Sequence, residues 1–384
     1  MKNTRAHEND FEQGPIRPPS EAKSLFLRIN RNCAWNRCAF CPVYQKEAFS
    51  LRPPAEVVAD IRMLAECGKM IRAAEKDGPL LWDRLYPLQV AHPEMSPLAF
   101  SNMYRWMGGK TGRMFLQDAS VFSTPFHDLA QILQEMKGLL APSEITAYAH
   151  ARDVLQYNIN ELREIRALGL GQVHMGIESG HEKVLLEQKK GATRAEMIEA
   201  VRRCKDAGIR VCVYIMPGLG GVPLMEENAR DTASAVEEMA PDMVRLRTFQ
   251  LLPGTKIWDV YESGEFAPLG QIDTIREIAL FLRSLDDVKT TIVSDHTVNI
   301  LETIAGTWPK DREAIQKEVE TFLQWDIDTQ TAFIIGKRAG IVRYLKDLDR
   351  PKRKEKIDTL MKMWQVTPHN LDAVSFEMLR QYMS

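Results

Sequence analysis

The sequence predicts an α/β protein: a parallel sheet, covered by helices, wound into a full or partial barrel. Two observations carry this. Short apolar runs of strand length alternate with longer stretches whose apolar residues recur at helical spacing, and six such units follow one another between residues 24 and 249. Alternation of this kind calls for parallel strands joined by helical crossovers, and its regularity favours a barrel over an open doubly wound sheet.

The elements follow in order. Residues 1–22 carry charges and prolines and read as an N-terminal arm, a tail or a loosely attached segment. "SLFLRIN" (24–30) is the first strand and runs straight into a cysteine-bearing loop. "PAEVVADIRMLAECGKMIRAAE" is a helix with Val57, Val58, Ile61, Leu64 and Ala65 on one face and Pro53 and Pro54 at its start. The next strands are "RMFLQ" (113–117), "EITAYA" (144–149), "QVHMGI" (172–177), "IRVCVYIM" (209–216) and "MVRLRTF" (243–249). Between them lie the helical patterns "FHDLAQILQEMKGLL", "NINELREIRALGL", "TRAEMIEAVRRCKDAG" and "EENARDTASAVEEMA". Gly169 and Gly208 stand where two of these helices need a left-handed cap.

Two stretches break the rhythm. Residues 77–112 form a long insertion bearing Trp82, Tyr86, Phe100, Tyr104 and Trp106; so many aromatics argue for a lid or a packed flap. After about residue 296 the chain turns helical, through "NILETIAG", "DREAIQKEVETFLQW", "TAFIIGKRAGIVRYLKDL" and "KIDTLMKMWQ". The expected division is therefore an arm (1–22), a barrel (23–295) and a C-terminal helical extension (296–384).

Composition narrows the function. At 384 residues with 45% hydrophobic content, the chain has room for one large barrel with additions or two ordinary domains. A formal charge of −2 exerts no long-range pull toward nucleic acid or anionic membrane. The first twenty residues have no apolar signal core, and no stretch approaches the roughly 20 apolar residues of a membrane span. A cytoplasmic location is expected, where clustered cysteines more often bind metal than pair as disulfides.

Such a cluster is present. "RNCAWNRCAFCPVY" (31–44) places Cys33, Cys38 and Cys41 in a C-x4-C-x2-C pattern directly after the first strand. Chance clustering is a poor explanation, since free cysteines are usually scattered and buried. A structural zinc site wants four ligands, yet no histidine lies between His7 and His92, and Cys67, Cys204 and Cys212 fall where small buried hydrophobes are expected. A four-iron cluster normally takes four thiolates; three leave one iron open, as catalytic metal sites are. A distant fourth ligand keeps the zinc alternative alive.

The loop resembles that of the radical S-adenosylmethionine (radical SAM) enzymes, with four residues rather than the usual three between the first two cysteines. "HMGIESG" (174–180), "YIMPGLGG" (214–221) and "RTFQLLPGT" (247–255) extend the resemblance to the branch of oxygen-independent coproporphyrinogen oxidases, methylthiotransferases and the Elongator radical subunit. It implies an α/β fold of one kind: a partial (β/α)6 TIM-like barrel of radical SAM type, here with a C-terminal helical extension. It implies a [4Fe–4S] cluster on Cys33, Cys38 and Cys41, and S-adenosylmethionine chelated to the open iron.

By the same resemblance, Phe40 packs near the adenine. Gln117 and Asp118, with Ala119, stand where relatives carry Gly-Gly-Glu against the methionine amino group. Tyr148 occupies a position of SAM-contacting polar side chains, although a core tyrosine fits as well. Glu178 suits the ribose hydroxyls and Lys190 the SAM carboxylate, with Lys189 an equal candidate. Tyr214, Met216 and Gly218 lie in the stretch that approaches the adenine, and "RTFQ" would complete the adenosine pocket.

The reaction so implied is reductive cleavage of SAM to methionine and a 5′-deoxyadenosyl radical, which takes a hydrogen atom from the substrate. Asp295, His296 and Asn299, in "SDHTVN" after the strand-like "KTTIV", are candidate catalytic or substrate-binding residues, with helix N-capping by Asp295 as the plain alternative. The expected partners are a small-molecule substrate and an electron donor such as flavodoxin or ferredoxin, with no membrane; nucleic acid is disfavoured, and "RPKRKEK" (350–356) reads as a solvated turn. A radical SAM methyltransferase, or a tRNA- or peptide-modifying enzyme, remains an alternative. From another class, so does a non-catalytic iron–sulfur or zinc protein.

Overall fold

A computed structural model describes residues 11–45, 47–75 and 82–383. Eight strands form the main sheet, numbered here in chain order: β1 (Leu25–Arg28), β2 (Arg113–Gln117), β3 (Glu144–Ala149), β4 (Leu170–Glu178), β5 (Arg210–Ile215), β6 (Met243–Leu246), β7 (Thr290–Val293) and β8 (Ala305–Trp308). Their order in the sheet is their order in the chain. A doubly wound sheet would reverse at a switch point, so the architecture is that of a partial barrel.

The chain divides into two compact units: residues 1–36, 43–175 and 199–211, and residues 37–42, 176–198 and 212–384. In the first, β1 pairs with β2 and β2 with β3, all parallel, with Phe26 opposite Phe115 and Phe115 opposite Thr146. Helix Pro54–Glu75 packs on helices Phe126–Leu140 and Pro97–Gly109. Val57, Ile61 and Leu64 are fully buried there, as their shared face predicts. Leu170 opens β4 after Gly169, whose φ of +116° is the left-handed cap expected.

The N-terminal segment differs from the loose arm expected. Phe11 is buried, and Gln13 accepts the Asn102 amide at 2.8 Å. The carboxylate of Glu12 takes Arg31 at 2.7 Å and Arg28 at 2.9 Å. Charge pairing ties down a stretch that apolar periodicity cannot reveal; residues 1–10 lie outside the described residues. Of the insertion, 77–81 also lie outside them, and the remainder forms helices Trp82–Ala91 and Pro97–Gly109. Trp82 packs on Tyr104 with ring centroids 5.4 Å apart, and Phe100 is fully buried.

In the second unit β5, β6 and β7 run parallel, and β8 returns antiparallel with Trp308 opposite Thr290. Helix Gln271–Ser284 packs on helices Met225–Met239 and Arg312–Gln324. The helix expected over "NILETIAG" is instead a run of turns leading into β8. Buried Asn299 explains this: its amide donates to Leu246 O at 2.9 Å and Ser294 Oγ at 2.8 Å, and its oxygen accepts Thr248 N at 2.9 Å. A side chain committed to three tertiary bonds overrides local propensity. The C-terminal extension thus begins with a strand, then continues as helices to residue 383.

Among the described residues no helix is long and apolar enough to cross a membrane.

Candidate functional site

The first unit holds the entry to the cysteine loop. Arg28 is a charged residue closing an apolar strand, and it is 3% exposed, so it requires partners. Asp118, just beyond β2, supplies one: Arg28 Nε donates to its Oδ2 at 2.5 Å. The same carboxylate accepts the backbone N–H of Asn32 at 3.2 Å and the Tyr44 hydroxyl at 3.0 Å. Those two residues bracket the three cysteines. Burial raises the Asp118 pKa, with Arg28 opposing it, and burial beside Asp118 pushes the Tyr44 hydroxyl well up as well. Tyr44 is therefore a neutral donor to Asp118.

Gln117 is turned the same way. Its side-chain oxygen accepts Gly14 N at 3.0 Å, and its amide donates to the Gly14 and Ile16 carbonyls at 3.1 Å. The side chains of Gln117 and Asp118 thus fasten this chain's own loops, while the Gln117–Asp118 peptide is cis. Tyr148 meets Phe115 edge-on with centroids 5.1 Å apart.

The second unit holds the rest of the loop. Ala39 N donates to Gln188 O at 2.9 Å, and Ile257 N donates to Ala39 O at 3.0 Å. Ala39 is buried with Val184, Met216, Leu219, Phe249 and Ile257, and Phe40 packs against that cluster. Cys38 Sγ lies 3.9 Å from Lys190 O. Lys190 Nζ meets Glu178 Oε1 at 3.1 Å, both side chains being about nine-tenths buried. Glu178 has φ +64°, a left-handed conformation that costs a non-glycine residue of order 1 kcal/mol. It is held there from both sides: Met216 N donates to its carbonyl at 2.7 Å, and Lys190 takes its carboxylate. Lys189, the other lysine candidate, is exposed.

A hydrogen-bonded chain supports these loops from behind. Ser179 Oγ donates to Asn228 Oδ1 at 2.5 Å, Asn228 Nδ2 to Glu277 Oε1 at 2.6 Å, and Gly218 N to Glu277 Oε2 at 2.7 Å. Burial raises the Glu277 pKa to about 7, against the two hydrogen bonds that favour its charged form. Sequence reading missed Glu277 and Asn228, each a polar residue on the inward face of an amphipathic helix.

A third group gathers at the ends of β5, β6 and β7. Arg245 Nη1 donates to the Tyr214 hydroxyl at 3.0 Å, and Arg245 Nε lies 3.2 Å from Asp295 Oδ1. Arg247 Nη1 donates to His296 Nε2 at 2.7 Å. Burial, then Arg247 and Arg245, lower the His296 pKa to about 4. Asp295 begins no helix, so its capping alternative falls away. Arg245 was also missed; an arginine within the apolar run "MVRL" was the available signal.

The three cysteines form no disulfide and are half-exposed, whereas Cys67, Cys204 and Cys212 are buried as hydrophobes. Cys33 falls in the first unit, where it accepts Asn36 N at 3.3 Å, and Cys38 and Cys41 fall in the second. Among the described residues no three His, Cys, Asp or Glu side chains are already gathered around a metal position. The donor chemistry fits an iron–sulfur cluster all the same: three half-exposed thiols stand within nine residues of one irregular loop.

A fold of this topology with that loop is what radical SAM proteins share. A profile described as Radical SAM superfamily matches residues 108–233, a segment that follows the cysteine loop and takes in "HMGIESG" and "YIMPGLGG", so the resemblance read from those motifs holds. A tRNA uridine(34) acetyltransferase of Methanocaldococcus infernus is 27% identical over 120 residues, 31% of this chain and 22% of that protein. The uncharacterized protein YtqA of Bacillus subtilis is 24% identical over 230 residues, 56% of this chain and 67% of that one. The solved Methanocaldococcus infernus Elp3, lacking its N-terminus, superposes with a TM-score of 0.42 at 18% identity, covering 58% of this chain and 57% of that one. The chain thus spans about a fifth of the length of the first-named relative.

Proposed function

We propose that the protein is a radical SAM enzyme, with Cys33, Cys38 and Cys41 holding a [4Fe–4S] cluster and S-adenosylmethionine as its co-substrate. The observation that carries this is local: the Glu178–Lys190 pair and the backbone of Cys38–Cys41 are held together within one unit, Lys190 O lying 3.9 Å from Cys38 Sγ. When bound, the cluster would supply the electron that cleaves the SAM sulfonium bond and so starts hydrogen abstraction.

The chain's own residues bind, orient and exclude water. Lys190 presents a cation for a carboxylate, and Glu178 presents an acceptor for ribose hydroxyls. Phe40, Met216 and Gly218 offer an apolar wall and open backbone for the adenine, with Tyr214 beside Arg245 at its edge. Gln117 and Asp118 act as positioning residues for the loop, and Tyr148 packs in the ring cluster behind it. Asp295 and His296, with Arg245 and Arg247, face the substrate. The insertion serves as the closure that shields the radical, a flavodoxin or ferredoxin supplies the electron, and the reducing cytoplasm keeps the cysteines reduced.

A small organic substrate is the first reading. The second, an RNA substrate, is favoured by one observation, the identity with a tRNA uridine(34) acetyltransferase, which removes the ground for disfavouring nucleic acid. Anaerobic reconstitution with iron and sulfide, then dithionite and SAM, tests the proposal. Formation of 5′-deoxyadenosine or a methylated product, abolished by Cys38→Ala, is the expected result. Stable zinc without SAM turnover would establish the structural-metal alternative instead.

A further inference from the structure

The chain's charge is unevenly spread. Between Arg343 and Lys356 stand seven Lys or Arg against three Asp or Glu, in a protein of net charge −2. The reason for the concentration is visible at the join between helix Ile327–Arg338 and helix Pro351–Met363. Here Gly340, Arg343, Tyr344, Lys346, Arg350 and Arg353 line a groove of about 460 Å³.

Its acid is already spent. Asp347 is buried, and its Oδ2 accepts the backbone N–H groups of Arg343 and Tyr344 at 2.9 and 3.0 Å, while Arg353 takes Oδ1 at 2.5 Å. That carboxylate builds the groove rather than offering itself to a ligand. Arg343 pairs with Glu302 at 2.7 Å, while Lys346 and Arg350 are exposed at the groove.

The aromatic is the second feature. Tyr344 is 46% exposed, with the Arg343 guanidinium and the Lys346 ammonium each 5.7 Å from its ring centroid. An exposed tyrosine beside cations gives a π-face for an unpaired base and charge for the phosphates next to it. An anionic bilayer would contact a protruding basic face and has no use for a concavity with a stacking ring. An acidic peptide would use the charges and leave the ring unsatisfied.

We propose that the groove around Tyr344 docks single-stranded RNA, an unpaired base stacking on Tyr344 while Lys346 and Arg350 hold the backbone. The inference rests on the second reading of function, in which the substrate is RNA, and supplies the surface that would hold it away from the Cys33–Cys41 loop.

Fluorescence anisotropy of the full chain with a labelled RNA hairpin carrying a seven-nucleotide loop tests it. The expected result is binding that weakens about tenfold in Tyr344→Ala and is retained in Tyr344→Phe, since stacking needs the ring and not the hydroxyl. Lys346→Glu with Arg350→Glu is expected to weaken binding and flatten its dependence on log salt by about one per lost phosphate contact. Circular dichroism confirms that each variant is folded. Equal binding by wild type and Tyr344→Ala would overturn the proposal. So would RNA binding no tighter than that of poly-glutamate, or preference for phosphatidylserine vesicles with no RNA binding. Docking on this groove with no RNA product would sink the RNA-substrate reading and leave the surface standing. An RNA product formed equally well by Tyr344→Ala would sink the surface and leave that reading.

Discussion

Glu178 Oε1 and Lys190 Nζ meet at 3.1 Å above Gly176, and only a glycine at 176 permits it. A Cβ there would lie 2.1 Å from Glu178 Oε1 and 3.2 Å from Lys190 Nζ. Gly176→Ala is therefore expected to push the carboxylate aside while sparing the surrounding strand, because the displaced atom is the end of a flexible side chain. Losing one well-placed charge-assisted contact weakens SAM binding about tenfold. Calorimetric titration of the reconstituted protein with SAM checks this, and wild-type affinity in Gly176→Ala would remove Glu178 from the SAM site.

Asp118 predicts a different phenotype. Its carboxylate joins Arg28, Asn32 and Tyr44, so Asp118→Ala leaves the Arg28 guanidinium buried without its nearest acceptor and frees both ends of the cysteine loop. Removing one partner of a buried ion pair typically costs about 3–5 kcal/mol, somewhat less here because Glu12 also reaches Arg28. The variant is expected to melt at lower temperature and to retain substoichiometric iron after reconstitution. Asp118→Asn, which keeps the shape, is expected to lose stability but recover part of the iron. Full iron loading of Asp118→Ala would deny Asp118 its positioning role.

Glu277 makes stability depend on pH. Its pKa in the fold, about 7, lies above the ordinary 4.5, so the folded state favours the protonated form. The stability this confers is fully present below about pH 4.5 and is lost as the pH rises through 7. The shift corresponds to about 3 kcal/mol between those limits. Urea unfolding at pH 5 and pH 8 is expected to show the wild type less stable at the higher pH, with the difference reduced in Glu277→Gln. An unchanged pH dependence in that variant would place the effect elsewhere.

Much of this arrangement was legible because the residues that bear it also break a local pattern. Three cysteines in nine positions and glycines at strand ends are conspicuous in an apolar alternation, and β2 and β3 fall where the alternation puts them. What escaped was set by contacts distant in sequence. The Glu12 anchor works through Arg28 and Arg31, the turns after β7 through Asn299, and Asp118 through Tyr44, 74 residues away. None has a periodic signature. An arginine in a buried strand does announce that it needs a partner, but not which one; Arg28 found Asp118 and Arg245 found Asp295 only once the chain was folded.

His296 is such a case, and its chemistry follows from its neighbour. Arg247 donates to Nε2 at 2.7 Å, and the imidazole is partly buried, so its charged form is penalised twice and its pKa falls to about 4. A base whose pKa is lowered by folding stabilises the fold fully above its unfolded pKa of 6.5, and that contribution is lost as the pH falls toward 4. The proton-detected resonance of His296 is therefore expected to show no inflection between pH 6 and 7. Arg247→Ala removes the facing charge and is expected to raise the pKa toward 6.5, while leaving iron content unchanged because neither residue touches the cysteine loop. Because His296 faces the substrate, His296→Ala is expected to lower kcat without a matching change in SAM affinity. Titration of His296 near 6.5 in the wild type would show that Arg247 does not face it in solution.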